Sequence, residues 1–172
     1  MHMRPDGQER RDFEVLIADD DSGVRELLAD FLAERGLSVA TTPDGRAAVT
    51  ALERSGQQCR LVFTDIAMPG ADGFAVLNSA RLANPSSYVV MITGYGSLET
   101  AIHAVRMGAQ DYLTKPFSLG QVDVILQKAN ARRREEEERQ ALAGQRSMAS
   151  ALAAIETRLA AMETQLRQLL DR

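Results

Sequence analysis

Apolar runs of strand length alternate with amphipathic stretches of helix length over residues 14–117. The runs Glu14 to Ala18, Leu37 to Thr42, Leu61 to Thr64, Tyr88 to Thr93 and Asp111 to Thr114 predict strands. Ser22 to Arg35 carries Val24, Leu27, Leu28, Phe31 and Leu32 at helical spacing, with Asp21 or Ser22 to cap it and Gly36 to end it. Pro43-Asp44-Gly45 turns the chain into a helix through Ala47, Ala48, Ala51 and Leu52 that ends near Gly56. Phe74 to Leu82 and Leu98 to Met107 predict two more helices, the second closed by Gly108. From Ser118 onward, Leu119, Val122, Ile125, Leu126 and Ala129 form the stripe of a fifth. Repeated β-then-α units of this length predict an α/β domain, a five-stranded parallel sheet covered on both faces, with right-handed crossovers.

The periodicity then changes. Arg132-Arg133-Arg134 followed by Glu135-Glu136-Glu137-Glu138 and Arg139 has no apolar face and predicts a solvated helix laced by i,i+4 charge pairs. Past Gly144, apolar residues fall at Met148, Leu152, Ile155, Leu159, Met162, Leu166 and Leu169, with steps of four and three. That is a heptad seam. Placing Leu152, Leu159 and Leu166 at a puts Ile155, Met162 and Leu169 at d, Arg158 at g and Glu163 at the next e. The seam predicts a coiled coil that joins copies of the chain into a homo-oligomer of open number. The other way to cover it is a fold-back onto the helix before Gly144. The organisation expected is a disordered start over 1–12, an α/β domain over 13–130, a charged helical linker over 131–147 and a coiled coil over 148–172.

A net charge of −4 excludes a strong field for nucleic acid. The arginine cluster at 132–134 raises that possibility again, but the adjacent glutamates cancel it and no stacking aromatic follows. A single cysteine, Cys59, fits a reducing cytoplasm. The polar start lacks a secretory h-region, and no apolar run is long enough for a membrane span. There is no P-loop, zinc spacing or dinucleotide fingerprint.

The chemistry collects at the strand ends. Asp19-Asp20-Asp21 follows the first strand, Asp65 closes the third, and Lys115-Pro116 follows the fifth. In an open parallel sheet these C-terminal ends converge on one crevice. Clustered carboxylates there suit a hard divalent cation, and a lysine suits a phosphoryl group. An aspartate so placed can accept phosphate as an acyl phosphate. The chain has two lysines, Lys115 and Lys128, so a lysine at 115 points to a compact charge rather than a guanidinium fork.

Five separated elements carry a resemblance: Asp19-Asp20, Asp65, Met68-Pro69-Gly70 with Asp72-Gly73, Thr93-Gly94, and Lys115-Pro116-Phe117. In order and spacing they resemble the receiver domain of two-component response regulators. The stretches Thr93 to Ser97 and Asp111 to Phe117 look most like receivers of sigma-54-dependent activators. The resemblance implies a flavodoxin-like doubly wound fold of five strands and five helices, here followed by a long C-terminal helix. It implies that Asp65 is the phosphoacceptor, served by a sensor histidine kinase. Mg²⁺ would be held by Asp20, Asp65 and the Ala67 carbonyl, with Asp19 holding a metal-bound water or standing just behind. Lys115 would pair with Asp65 and then with the phosphoryl group, and Thr93 would donate its hydroxyl. Tyr112 would turn inward as Thr93 moves, and Pro116 would follow a cis bond. Asp21 is given no metal role, only that of a cap.

Such a protein is a phosphoacceptor switch rather than a conventional enzyme. Ala67 and Tyr95 offer no carboxylate or amide to orient an attacking water, which predicts slow self-dephosphorylation. His103 falls on the predicted fourth helix, and no histidine follows it, so the tail holds no phosphotransfer histidine. The competing reading is a structural or localisation adaptor whose coiled coil is the output whatever the phosphorylation state. A phosphatase with an aspartate nucleophile is disfavoured, because Ala67 stands where its second acid belongs.

Overall fold

The computed structural model describes residues 13–94 and 98–170. The start expected to be disordered (1–12) and Tyr95 lie outside them. The chain divides into two compact units, Met1–Ala129 and Asn130–Arg172.

In the first unit the elements run β1 (Val15–Ala18), α1 (Ser22–Ala33), β2 (Val39–Thr42), α2 (Gly45–Ser55), a short 3-10 turn, β3 (Leu61–Asp65), α3 (Gly73–Ala83), β4 (Tyr88–Thr93), α4 (Leu98–Arg106) and β5 (Asp111–Thr114). The five strands are parallel in the order β2-β1-β3-β4-β5. β1, β3 and β4 are buried along their whole length, which is why they read as continuous apolar runs rather than alternating ones. From β1 the chain steps outward to β2, then returns past β1 to β3. The order therefore reverses between β1 and β3, and a crevice opens at their C-terminal ends.

Two apolar layers cover the sheet. On one face Leu28, Phe31 and Leu32 of α1 join Val122, Ile125 and Leu126 against Val15, Ile17, Phe63, Val90 and Ile92. On the other, Ala48 and Leu52 of α2, Val76, Leu77 and Ala80 of α3, and Ala104 of α4 pack on Leu16, Val62, Val89 and Met91. The alternation along each strand sends successive residues to opposite layers. Aspartates cap three of the helices: Asp21 accepts from Gly23, Asp44 from Ala47 and Asp72 from Ala75, at 2.8, 2.8 and 2.9 Å.

Two boundaries differ from the sequence expectation by two residues, and several others by one. The first helix stops at Ala33 rather than Arg35, and β2 begins at Val39 rather than Leu37. Gly36 takes φ of +79° and the Leu37 amide donates back to the Leu32 carbonyl, so Leu37 closes the helix instead of extending the strand.

A fifth helix, α5 (Leu119–Leu170), begins in the first unit and forms the described part of the second. Ser118 and Gln121 exchange side-chain and backbone hydrogen bonds at its start, a capping box. Arg35 binds Asp123 at 3.2 Å and Lys128 binds Asp111 at 2.7 Å, fixing its first turns to the turn after α1 and to β5. The helix continues without a break through Gly144, so the fold-back alternative for the seam is not what the chain does. Met148, Leu152, Ile155, Leu159 and Met162 are all exposed. The side chains of Leu166 and Leu169 lie outside the described residues. No helix among the described residues is long and apolar enough to cross a membrane.

Candidate functional site

β1 runs directly into Asp19 and Asp20, and β3 ends on Asp65. The register pairs Ala18 with Thr64, so these acids leave adjacent strands at the same height. Carboxylate oxygens of Asp19, Asp20 and Asp65 lie within 4.8 Å of one another. Asp19 and Asp65 are buried, whereas Asp20 is exposed at the rim.

Lys115, just past β5, reaches over this cluster. Its Nζ stands 2.6 Å from Asp65 Oδ2, 3.0 Å from Asp19 Oδ1 and 2.8 Å from Asp19 Oδ2. β5 lies two strands from β3, so the long lysine stem is what spans the distance. The Lys115 amide donates to the Thr93 carbonyl at 2.8 Å, and the Lys115–Pro116 peptide is cis.

Burial acts on both sides of this pairing. It pushes the Asp19 carboxyl up, against the lowering effect of the Lys115 ammonium and the Asp21 amide. For Lys115, burial is the largest single influence and acts downward. The hydrogen bonds and field of Asp19 and Asp65 together outweigh it and hold the ammonium above its usual value.

The loops finish the cradle. The Asp21 amide donates to Asp19 Oδ1 at 3.0 Å, and the Ala67 amide donates to Asp65 Oδ1 at 3.1 Å. Arg25 on α1 donates to the Asp19 carbonyl at 2.7 Å and so holds the acidic turn from behind. Sequence reasoning missed Arg25, because an arginine bound to a backbone oxygen leaves no periodic mark. Gly73, which the sequence shows only as part of a motif, has a steric role here. A Cβ there would fall 2.3 Å from the Asp65 carbonyl oxygen, so only glycine lets α3 start this close to the end of β3.

Thr93 ends β4, next to β3 on one side and β5 on the other, and is buried. Tyr112 is half-buried on β5 against the second apolar layer; its hydroxyl is buried and has no hydrogen-bond partner among the described residues. Ala67 is exposed in the loop after Asp65. His103 is exposed on α4 and meets the Phe74 ring edge-on, with centroids 4.6 Å apart. Cys59 is buried and desolvation pushes its thiol up to about 12, which makes it inert.

The donor set fits a hard divalent cation. It consists of oxygens alone, from three clustered carboxylates. Asp19 Oδ2 is buried and, although near the ammonium, receives no aligned hydrogen bond from the described residues. A cation and an ammonium together can offset the carboxylates and leave an electropositive place for a phosphoryl group.

Residues 15–127 match the family model described as the response regulator receiver domain. The nitrogen assimilation regulatory protein NtrX of Azorhizobium caulinodans is 35% identical over 118 residues, which are 67% of this chain and 26% of that protein. A response regulator receiver domain protein from Clostridium thermocellum superposes with a TM-score of 0.65 at 27% identity, covering 70% of this chain and 95% of that one. A response regulator from Burkholderia pseudomallei, solved with a phosphorylated aspartic acid, a calcium ion and citrate, gives a TM-score of 0.60 at 27% identity over 71% of each chain. The chain spans about a quarter of the length of NtrX and of the similar regulator NtrC.

Proposed function

The chain belongs to the response regulator receiver domain family, and from that premise we propose that it accepts a phosphoryl group on Asp65 from a sensor histidine kinase and passes the signal to a self-associating tail. One observation carries the reading: Lys115 Nζ lies 2.6 Å from Asp65 and 2.8 Å from Asp19 at the C-terminal ends of neighbouring strands. The phosphorylated aspartic acid of the Burkholderia pseudomallei regulator supports it by analogy.

An Asp65 carboxylate oxygen attacks phosphorus. The bond from phosphorus to the donor imidazole nitrogen breaks, and that nitrogen leaves with the electron pair as neutral histidine. Asp65 is a weak nucleophile, so positioning and charge do most of the work. The Ala67 amide aims the carboxylate, and Lys115 moves from pairing with it to pairing with a phosphoryl oxygen. Asp19, Asp20, Asp65 and the Ala67 carbonyl are the groups that would hold Mg²⁺, which when bound offsets charge on the transferring phosphoryl oxygens. Thr93 donates its hydroxyl to the phosphoryl group. Tyr112, whose hydroxyl has no hydrogen-bond partner among the described residues, is the side chain that repacks, so phosphate shifts a population between two packings.

We assign residues 13–130 to the receiver, 131–147 to a charged linker and 148–172 to self-association. The acyl phosphate is expected to last minutes or longer, because Ala67 supplies nothing to orient a water for its hydrolysis. Following the phosphorylated chain by mass in excess Mg²⁺ checks this; a half-life of seconds contradicts it.

Light scattering of wild type, with and without a small phosphodonor and Mg²⁺, tests the link to the tail. A change in assembly that needs both reagents is the expected result. An assembly indifferent to them favours the phosphorylation-independent adaptor instead.

A further inference from the structure

The second unit presents a helix with an apolar seam that none of the described residues covers. Met148, Leu152, Ile155, Leu159 and Met162 are each more than half exposed, the least being 55%. A helix of this length gains little from propensity alone; most helical stability comes from packing an apolar face. The stretch before the seam is laced by ion pairs instead, such as Arg139 with Glu136 and Arg133 with Glu137. The seam is therefore the face left for a partner.

We infer that the seam pairs with a second copy of this chain running parallel and in register, beginning at Gln145; this rests on the self-association proposed above. The orientation follows from the charges beside the seam. An antiparallel pair with full overlap sets Leu152 against Met162 and Ile155 against Leu159. The twofold axis then passes beside residue 157, between e and g. Arg158 faces the partner's Arg158 and Glu156 faces the partner's Glu156, so like charges meet at the centre on both sides. The parallel pair removes both clashes. It brings Arg158 at g toward the partner's next e position, which the sequence fills with Glu163, and the pairing occurs twice by symmetry.

The start of the paired segment follows from the same register. Gln145 and Glu138 occupy the two a positions before Leu152. A parallel pair carried past Gln145 would bury Glu138 against the partner's Glu138, so pairing stops there. Gly144, at the boundary, is the weakest helix former in the stretch. Leu142 is exposed but falls at e, outside the seam.

The test uses the full chain. In a parallel pair residue 145 meets its own counterpart; in the antiparallel pair it faces the far end of the seam. Gln145→Cys, oxidised with diamide and run without reductant, should give nearly complete two-chain disulfide, while wild type gives none. Cys59 is buried and stays silent. Arg158→Glu should weaken association about fivefold in the parallel pair by setting like charges at g and e, and leave an antiparallel pair unchanged. Sedimentation of wild type separates the two levels of the claim. A monomer at every concentration overturns the self-association itself. An associated chain whose Gln145→Cys variant fails to cross-link, or whose Arg158→Glu variant associates normally, overturns only the parallel order.

Discussion

Asp65→Asn is expected to lose all phosphoryl incorporation while keeping the fold. The amide preserves the shape of the side chain and its place at the end of β3, but its oxygen is not a nucleophile toward phosphorus. Asp65 is buried and shares its lysine with Asp19, so the variant leaves Lys115 one carboxylate to pair with and relieves part of the repulsion inside the cluster. The fold in chelator should therefore change by no more than about 1 kcal/mol. Intact mass after exposure to a small phosphodonor and Mg²⁺ reads the chemistry, and urea denaturation reads the fold. Incorporation at the wild-type level would place the acceptor elsewhere. A collapse in stability would make any loss of labelling uninformative, so both are measured on the same preparation.

Lys115→Ala is expected to fail twice. In chelator it leaves Asp19 and Asp65 facing one another without the ammonium that sits between them. Breaking a fully buried pair costs about 3–5 kcal/mol; Lys115 keeps 22% of its side-chain exposure, so about 2 kcal/mol is expected here. Its partners hold the ammonium above the ordinary 10.5, so the pairing stabilises the fold in full below that pH and is lost only as pH climbs through the folded value. The destabilisation should thus be complete at neutral pH, and Mg²⁺ should restore part of it by offsetting the same carboxylates. Phosphoryl transfer should fall about 100-fold even with Mg²⁺ present, the usual cost of removing one donor aimed at developing charge. Lys115→Arg separates the two effects. It keeps the charge and most of the stability, but its planar fork does not reproduce a point charge held between two carboxylates. Urea denaturation with and without Mg²⁺, alongside the rate of incorporation, checks the set.

The sheet could be read from the sequence because its central strands are buried on both faces. Leu61 to Asp65 and Tyr88 to Thr93 carry no polar alternation to confuse with a helix. The cap of the first helix was legible too, since Asp21 sits where an orphan amide needs an acceptor, while Asp44 and Asp72 emerge as caps in the structure. Boundaries were less so. Leu37 is apolar and precedes a strand, and only the hydrogen bond back to Leu32 shows that it belongs to the end of α1.

At the site, the acids and the lysine stood out because charge at the end of an apolar run is costly unless used. Arg25 did not. It acts through a backbone carbonyl, which leaves no pattern along the chain. The tail shows the opposite imbalance. Its heptads are plain in the sequence, but a seam specifies that something covers it and only the flanking charges say in which direction.

The central claim is that Asp65, in the acid cluster with Lys115 above it, is where phosphate is taken up. Borohydride reduction tests it most directly, because it converts an aspartyl phosphate into homoserine and so marks the acceptor permanently. The full chain, treated with acetyl phosphate and Mg²⁺, reduced and mapped by peptide mass spectrometry, should carry homoserine at position 65 alone, and none when the metal is chelated. Homoserine at Asp19, Asp20 or any other aspartate, or none at all under saturating donor and Mg²⁺, would contradict it.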